Sequence, residues 1–260
     1  MMNRLLIVMF ATALAFCGCS KDDSKDLKPV SRMPFSASVR VGSITRALEK
    51  DGDIIRSVWE LGDKVAIIHG GLTDVVEVTD VDVDSVATLT GFISGTPKDD
   101  EPVTIVYPSS AVDSVSGTIK ESVLLEQDGT LESIALKQNI RKGQGTLRVS
   151  DGSASVYESV SLSDQISIAE FTVYNVKDTT LLDVSQLSIM NLADSTMLVN
   201  VNLTHKDSFF YVAMPFIPEN EWLSFSATDG VGNYVANAYS YMNFPIGYYM
   251  FLDVLLMPTE

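Results

Sequence analysis

The sequence predicts an all-β protein built as two β-sandwich domains in tandem, and three observations predict it. Apolar and polar residues alternate with period two along most of the chain. Gly-Gly and Asp-Gly pairs separate the alternating stretches, and no window carries a 3.6-residue apolar stripe longer than two turns. Many short strands with such turns pack as sandwiches.

The first strand is "MPFSASVRV", with Met33, Phe35, Ala37, Val39 and Val41 on one face and Pro34, Ser36, Ser38 and Arg40 on the other. That is a half-buried strand with a wet side. "KVAIIH" (64–69), "VTIVYP" (103–108) and "ISIAEFTVYNV" (166–176) follow. "MLVNVNLT" (197–204), "FFYVAMP" (209–215), "WLSFSAT" (222–228) and "YYMFLDVLL" (248–256) complete the series. Gly70-Gly71, Asp128-Gly129, Asp151-Gly152 and Asp229-Gly230 mark turns between them. The stretch "RKGQGTLRVSDGSAS" (141–155) is poor in large apolar residues, which sets the expected seam between domains 33–150 and 151–260.

Residues 1–18 read as a leader. Arg4 supplies a positive start and Leu5 to Phe16 an apolar run, shorter than the roughly 20 residues of a spanning helix. "LAFCGCS" resembles a bacterial lipobox in which Gly18 precedes Cys19, the residue that would carry the lipid, while Cys17 leaves with the leader. An ordinary signal peptide cut elsewhere is the alternative. More than one acyl chain on Cys19 would anchor stably where a single chain binds marginally. Residues 19–32 read as an acidic tether. Its "SKDD" (20–23) resembles the export signal that sends lipoproteins of Bacteroidota to the outer face of the outer membrane.

The balance of 18 Lys and Arg against 34 Asp and Glu, a formal net charge of −16, argues against a nucleic-acid partner. Two cysteines separated by one glycine cannot staple a fold. His69 and His205 have no neighbours at ligand spacing, so no metal, cofactor or Ser-His-type chemistry is expected, and no carboxylate pair stands out. The chain reads as a non-enzyme. In "DVDVD" (80–84) the positions of a calcium loop's glycine and glutamate hold Ser85 and Gly91, so Asp80, Asp82 and Asp84 read as a solvated face. The triplets that start at Asp84, Asp113, Asp178 and Asp194 resemble an O-glycosylation signature.

Four stretches, in order, resemble the fimbrillin family of Bacteroidota, Mfa-like lipoproteins of type V pili. They are "ITRALEKDGDIIRSVWELGDKVAII" (44–68), "ATLTGFISG" (87–95) with "VTIVYPSSA" (103–111), "LLEQDGT" (124–130), and the closing run from Phe209 to Leu256. The resemblance implies two transthyretin-like sandwiches behind a lipoprotein leader, on the cell surface. It implies cleavage by an Arg-specific protease after the first strand, and refilling of the vacated groove by a neighbour's strand. Here the removable strand is the Met33–Val41 stretch, and the candidate cut lies between Arg46 and Ala47. The candidate donor is the C-terminal strand, with Tyr248, Met250, Leu252, Val254 and Leu256 on one face; the simpler reading is that it closes its own sandwich. Partners are then other pilus subunits and, through lipid, the membrane, in a structural, anchor or tip role in adhesion. The alternative is a surface lipoprotein that binds glycans and does not polymerise, with Trp59 or Trp222 stacking on sugars, although a tryptophan in an alternating strand reads first as core or a plug between domains.

Overall fold

Alternation along each strand sorts the chain onto two sheets, which the computed structural model describes over residues 31–41, 49–51, 54–56, 59–204, 208–241 and 243–259. The strands, in chain order, are β1 (Arg32–Val41), β2 (Glu49–Asp51), β3 (Ile54–Arg56), β4 (Lys64–His69), β5 (Leu72–Val81), β6 (Val86–Ser94), β7 (Pro102–Tyr107) and β8 (Arg141–Ser150). They continue with β9 (Ser153–Val156), β10 (Val160–Asp164), β11 (Ser167–Asn175), β12 (Gln186–Asn191), β13 (Met197–Asn202), β14 (Phe210–Met214), β15 (Trp222–Thr228), β16 (Asn233–Tyr239) and β17 (Tyr249–Pro258). β2 and β3 form a separate small hairpin.

The first sheet runs β10-β1-β6-β5-β4-β7-β8-β9, and β10 also pairs with β8 while β1 also pairs with β9. It therefore closes on itself, which removes its free edges. Phe35, Val39, Val65, Ile67, Leu89, Ile105 and Leu147 fill the interior. Before β4, Gly62 takes φ +88° and the Asp63 carboxylate accepts the Glu60 N–H at 3.1 Å, the turn that Gly62-Asp63 implies. β4 breaks strict alternation because both its faces are covered. Val65 and Ile67 point inward, while Ala66 packs outside with Val106 of β7 and with Val112, Ile134 and Ile140 from the β7–β8 connection.

The second sheet runs β13-β12-β15-β16-β17-β11-β14 around Phe171, Leu187, Ile189, Val199, Val201, Met214 and Leu256. Its ends, β13 and β14, are bridged by residues 127–129 of the β7–β8 connection. Gln127 N–H donates to Asn200 C=O (3.3 Å), Asn202 N–H to Gln127 C=O (2.8 Å), and Tyr211 N–H to Gly129 C=O (2.9 Å). A piece of the first half thus serves as a strand of the second. Ile166, Ile168 and Ala213 join the covered outer face of β4 and β7, so one apolar cluster links the two sheets.

The expected seam at 141–155 is corrected by this topology: those residues are β8 and β9 of the first sheet, and the changeover falls between β10 and β11. The glycines there mark close packing, not a linker. A Cβ on Gly143 would lie 2.6 Å from Ser161 O, and one on Gly145 would lie 2.7 Å from Val156 Cγ1.

Candidate functional site

β1 is the strand that closes the first sheet. One edge pairs antiparallel with β6 from Arg32↔Ser94 to Arg40↔Val86. The other pairs parallel with β9 at Phe35↔Ala154 and with β10 from Val39↔Val160 to Val41↔Leu162. Phe35 (3% exposed), Ala37 (5%) and Val39 (0%) lie in the core, Met33 packs partly buried beside them, and Arg32, Pro34, Ser36, Ser38 and Arg40 face out. Burying a Phe or Val side chain contributes roughly 1.5–3 kcal/mol each. An empty slot would expose that core together with two unpaired strand edges.

The slot also encodes register. Directly opposed residues share a face, so Phe35 sits across from Gly91, Ala37 from Leu89, and Val39 from Ala87. Large meets small at each step. Gly91 itself has no room for a side chain, because a Cβ there would lie 2.8 Å from Val76 Cγ1. Cys19, Arg46 and Ala47 lie outside the described residues, as does the side chain of Val41.

β17 is held unequally. It pairs parallel with β11 from Ile168↔Tyr249 to Asn175↔Leu256, but with β16 only at Val235↔Met257 and Tyr234↔Pro258. Leu256 is fully buried, and Leu252 and Val254 pack partly buried against the second core. Tyr248, expected on that face, precedes the strand and is 60% exposed, a departure from the simple alternation. Phe251, Leu255 and Met257 on the outer face are each about half exposed.

The start of β17 is fastened where the sheets change over. Gly247 N–H donates to Ile166 C=O (2.9 Å), Tyr248 N–H to Ser167 Oγ (3.0 Å), and Ile168 N–H to Tyr248 C=O (2.9 Å). Beside this knot the buried Arg141 places Nε 2.8 Å from Asp164 Oδ1. The contact is an ion pair without hydrogen-bond alignment, and Arg141 Nη2 has no partner among the described residues. Burial pushes the guanidinium down from its ordinary value while Asp164 opposes the shift. A Cβ on Gly247 would sit 3.3 Å from Asp164 Oδ2, so the pair also touches the segment leading into β17. Nothing in the sequence marks Arg141, which reads there as one more polar residue of a Gly-rich stretch.

The remaining candidates separate cleanly. Trp59 is buried, edge-on to Tyr107 with ring centroids 5.1 Å apart, a core residue and not a sugar platform; Trp222 is 53% exposed. His69 is buried with Nε2 3.4 Å from Asp74 Oδ2, and that carboxylate already accepts the N–H and hydroxyl of Ser94 at 2.8 and 2.6 Å. Among the described residues no group of three or more His, Cys, Asp or Glu could hold a metal ion. Asp82 closes the β5–β6 turn through the N–H groups of Asp84 and Val86. Ser85, Thr179 and Ser195, the middle residues of three of the four Asp-Ser/Thr triplets, share positive φ of 60°, 57° and 61° in turns.

No family model matches the sequence, and no curated protein matches it. Among solved structures the chain is similar to a cell adhesion candidate from Bacteroides uniformis, with 11% identity, 88% of this chain and 96% of that one covered, and a TM-score of 0.42. It is similar to a fimbrial assembly protein from Parabacteroides distasonis, with 12% identity, coverages of 85% and 90%, and a TM-score of 0.39. A fimbrial protein from Bacteroides ovatus matches at 9% identity over 86% of this chain and 49% of that one, with a TM-score of 0.37. Similarity at this level says nothing of what the chain does.

Proposed function

We propose that this chain is a fimbrillin-like surface lipoprotein, a structural, anchor or tip subunit of a pilus that assembles by strand exchange and serves adhesion. The observation that carries the reading is the position of β1 as the closing strand of the first sheet, hydrogen-bonded on both edges and apolar on its inner face. Cys19 carries the lipid that tethers the protein to the outer membrane. Cleavage between Arg46 and Ala47 releases β1, and the vacated slot takes an extended strand from a neighbouring copy. Main-chain hydrogen bonds supply the affinity and the alternating small and large wall residues Gly91, Leu89 and Ala87 set the register. β17 is the donor. Its even-numbered residues offer Leu252, Val254 and Leu256 where β1 places Phe35, Ala37 and Val39. The chain does no chemistry of its own.

The test is the state of the protein on cells. Mass spectrometry of N-terminal peptides from the surface fraction should find chains beginning at Ala47 in a shaft role and at acylated Cys19 in an anchor role. Unheated detergent gels should show a ladder of multimers that collapses on boiling. A surface protein that keeps β1 throughout and runs as a monomer with or without heating would retire strand exchange.

A further inference from the structure

A cluster on the outer face of the second sheet takes no part in either core. Trp222 and Tyr239 are directly opposed on β15 and β16, with ring centroids 5.1 Å apart and planes at 56°. Tyr241 continues the row at 4.9 Å and 74° from Tyr239. Trp222 is 53% and Tyr241 84% exposed, so among the described residues the row presents aromatic surface that no other side chain covers. Isolated apolar residues on a surface are ordinary, but a contiguous aromatic row marks a place of contact.

The polar groups beside the row are held in place. Tyr239 hydroxyl donates to Asn220 Oδ1 at 2.7 Å, which leaves the amide Nδ2 of Asn220 as a donor. Asn220 sits at φ +68°, fixed by its N–H donating to Ser240 C=O (2.7 Å) while Ser240 N–H donates to Glu221 C=O (2.9 Å). Such backbone conformations persist only where their surroundings impose them. Asn191 Nδ2 donates to Glu221 Oε2 at 3.0 Å, which orients that carboxylate and leaves Oε1 able to accept.

We infer that Trp222, Tyr239 and Tyr241, with Asn220 and Glu221, form a binding site for a neutral oligosaccharide. The turn before β15 carries the carboxylates of Glu219 and Glu221 and no cation, on a chain of formal net charge −16, so an anionic ligand is repelled. A flat heteroaromatic ligand would want coplanar rings, whereas these step by 56° and 74° along the row. A twisted chain of sugar rings matches such steps, its C–H faces against the aromatic faces and its hydroxyls on an amide donor and a carboxylate acceptor. The site is independent of strand exchange, since neither β1 nor β17 contributes to it.

The chain has two tryptophans, one buried and one in the site, so Trp222 reports on it directly. Trp59→Phe isolates its fluorescence; should that variant fold poorly, 5-fluorotryptophan in the wild-type chain resolves the two residues by fluorine NMR. The probes are hexasaccharides of α-1,4-glucose, β-1,4-glucose, α-1,6-mannose and β-1,4-N-acetylglucosamine. At least one series should shift the Trp222 signal saturably and shield it from acrylamide. Tyr241→Ala and Asn220→Gly, the latter keeping the positive φ that alanine would strain, should each weaken that binding about tenfold or more, with the melting temperature within about a degree of the parent. No shielding by any series at millimolar sugar overturns the inference, as does shielding that survives both substitutions. Shielding that rises with protein concentration in the absence of sugar also overturns it, by assigning the face to protein contact.

Discussion

The side-chain amide of Gln127 pairs with both backbone groups of Ala213: Oε1 accepts the N–H at 2.7 Å and Nε2 donates to the C=O at 3.0 Å. Gln127 lies in the β7–β8 connection and Ala213 on β14, so a side chain does the work of a neighbouring strand at the edge of the second sheet. Ala213 and Gln127 are both buried, so removing the amide leaves the Ala213 groups away from bulk solvent. Gln127→Ala should therefore cost about 2–4 kcal/mol by leaving two buried backbone groups unpaired. Gln127→Glu should cost nearly as much, because a carboxylate offers no donor to the Ala213 carbonyl. Denaturant midpoints of the two variants check this, and a loss within experimental error for Gln127→Ala would show that the bridge closes the sheet without it.

Inside the first sheet, β1 should tolerate change on one face only. Phe35→Ala should destabilise by about 3–5 kcal/mol, since the ring fills the space opposite Gly91. Ala37→Leu overpacks against Leu89 and should cost about 1–3 kcal/mol. Ser38→Ala, on the wet face, should stay within about 0.5 kcal/mol. Thermal unfolding of the three variants tests the order, and equal losses at Ala37 and Ser38 would mean that β1 is not seated as described.

Strands are legible in this sequence where one face meets water. β1 and β15 alternate cleanly because their outer residues are solvated, and the Asp229-Gly230 turn fixes the register that sets Trp222 beside Tyr239. Legibility fails where packing is mutual. Gly143 and Gly145 look like linker residues, but their missing side chains make room for Val160 and Val156 across the strand. Closure of the second sheet by residues 127–129, and the buried Arg141 beside Asp164, depend on contacts between distant segments that no local pattern encodes. Gly145→Ala should accordingly destabilise by about 1–3 kcal/mol, where a true linker glycine would gain from the substitution. The melting temperature decides between them.

Acid should loosen the β15–β16 turn at a defined point. Asp229 Oδ1 accepts the N–H groups of Val231 and Gly232 at 2.8 and 2.7 Å, and Oδ2 accepts the Tyr234 hydroxyl at 2.9 Å. These bonds, the Gly232 N–H foremost, hold the carboxyl below its ordinary value of 3.8. A depressed folded-state pKa stabilises at pH above the unfolded value, and that gain disappears as pH falls through the folded one. The turn should thus stay intact at pH 5 and loosen below 3.8, with the amide signals of Val231 and Gly232 shifting together. Asp229→Asn should erase the transition, and its persistence in that variant would assign it to another carboxylate.

The unequal hold on β17 makes a residue-by-residue pattern that hydrogen exchange can read. Tyr248 C=O accepts from Ile168 N–H and Leu256 C=O from Val176 N–H, so even-numbered residues turn their backbone groups toward β11. Odd-numbered residues then turn toward β16, where the ladder begins only at Met257. The amides of Leu252 and Val254 should be strongly protected and those of Asp253 and Leu255 should exchange about a hundredfold faster or more. A donor strand needs this asymmetry, because peeling from β11 is then the main barrier to its leaving home. Uniform protection along β17 would mean that β16 also grips it, and the strand would then serve its own sheet alone. Protection lost on both faces would mean that β17 already leaves β11 in the isolated protein, and the barrier to donation would have to lie elsewhere.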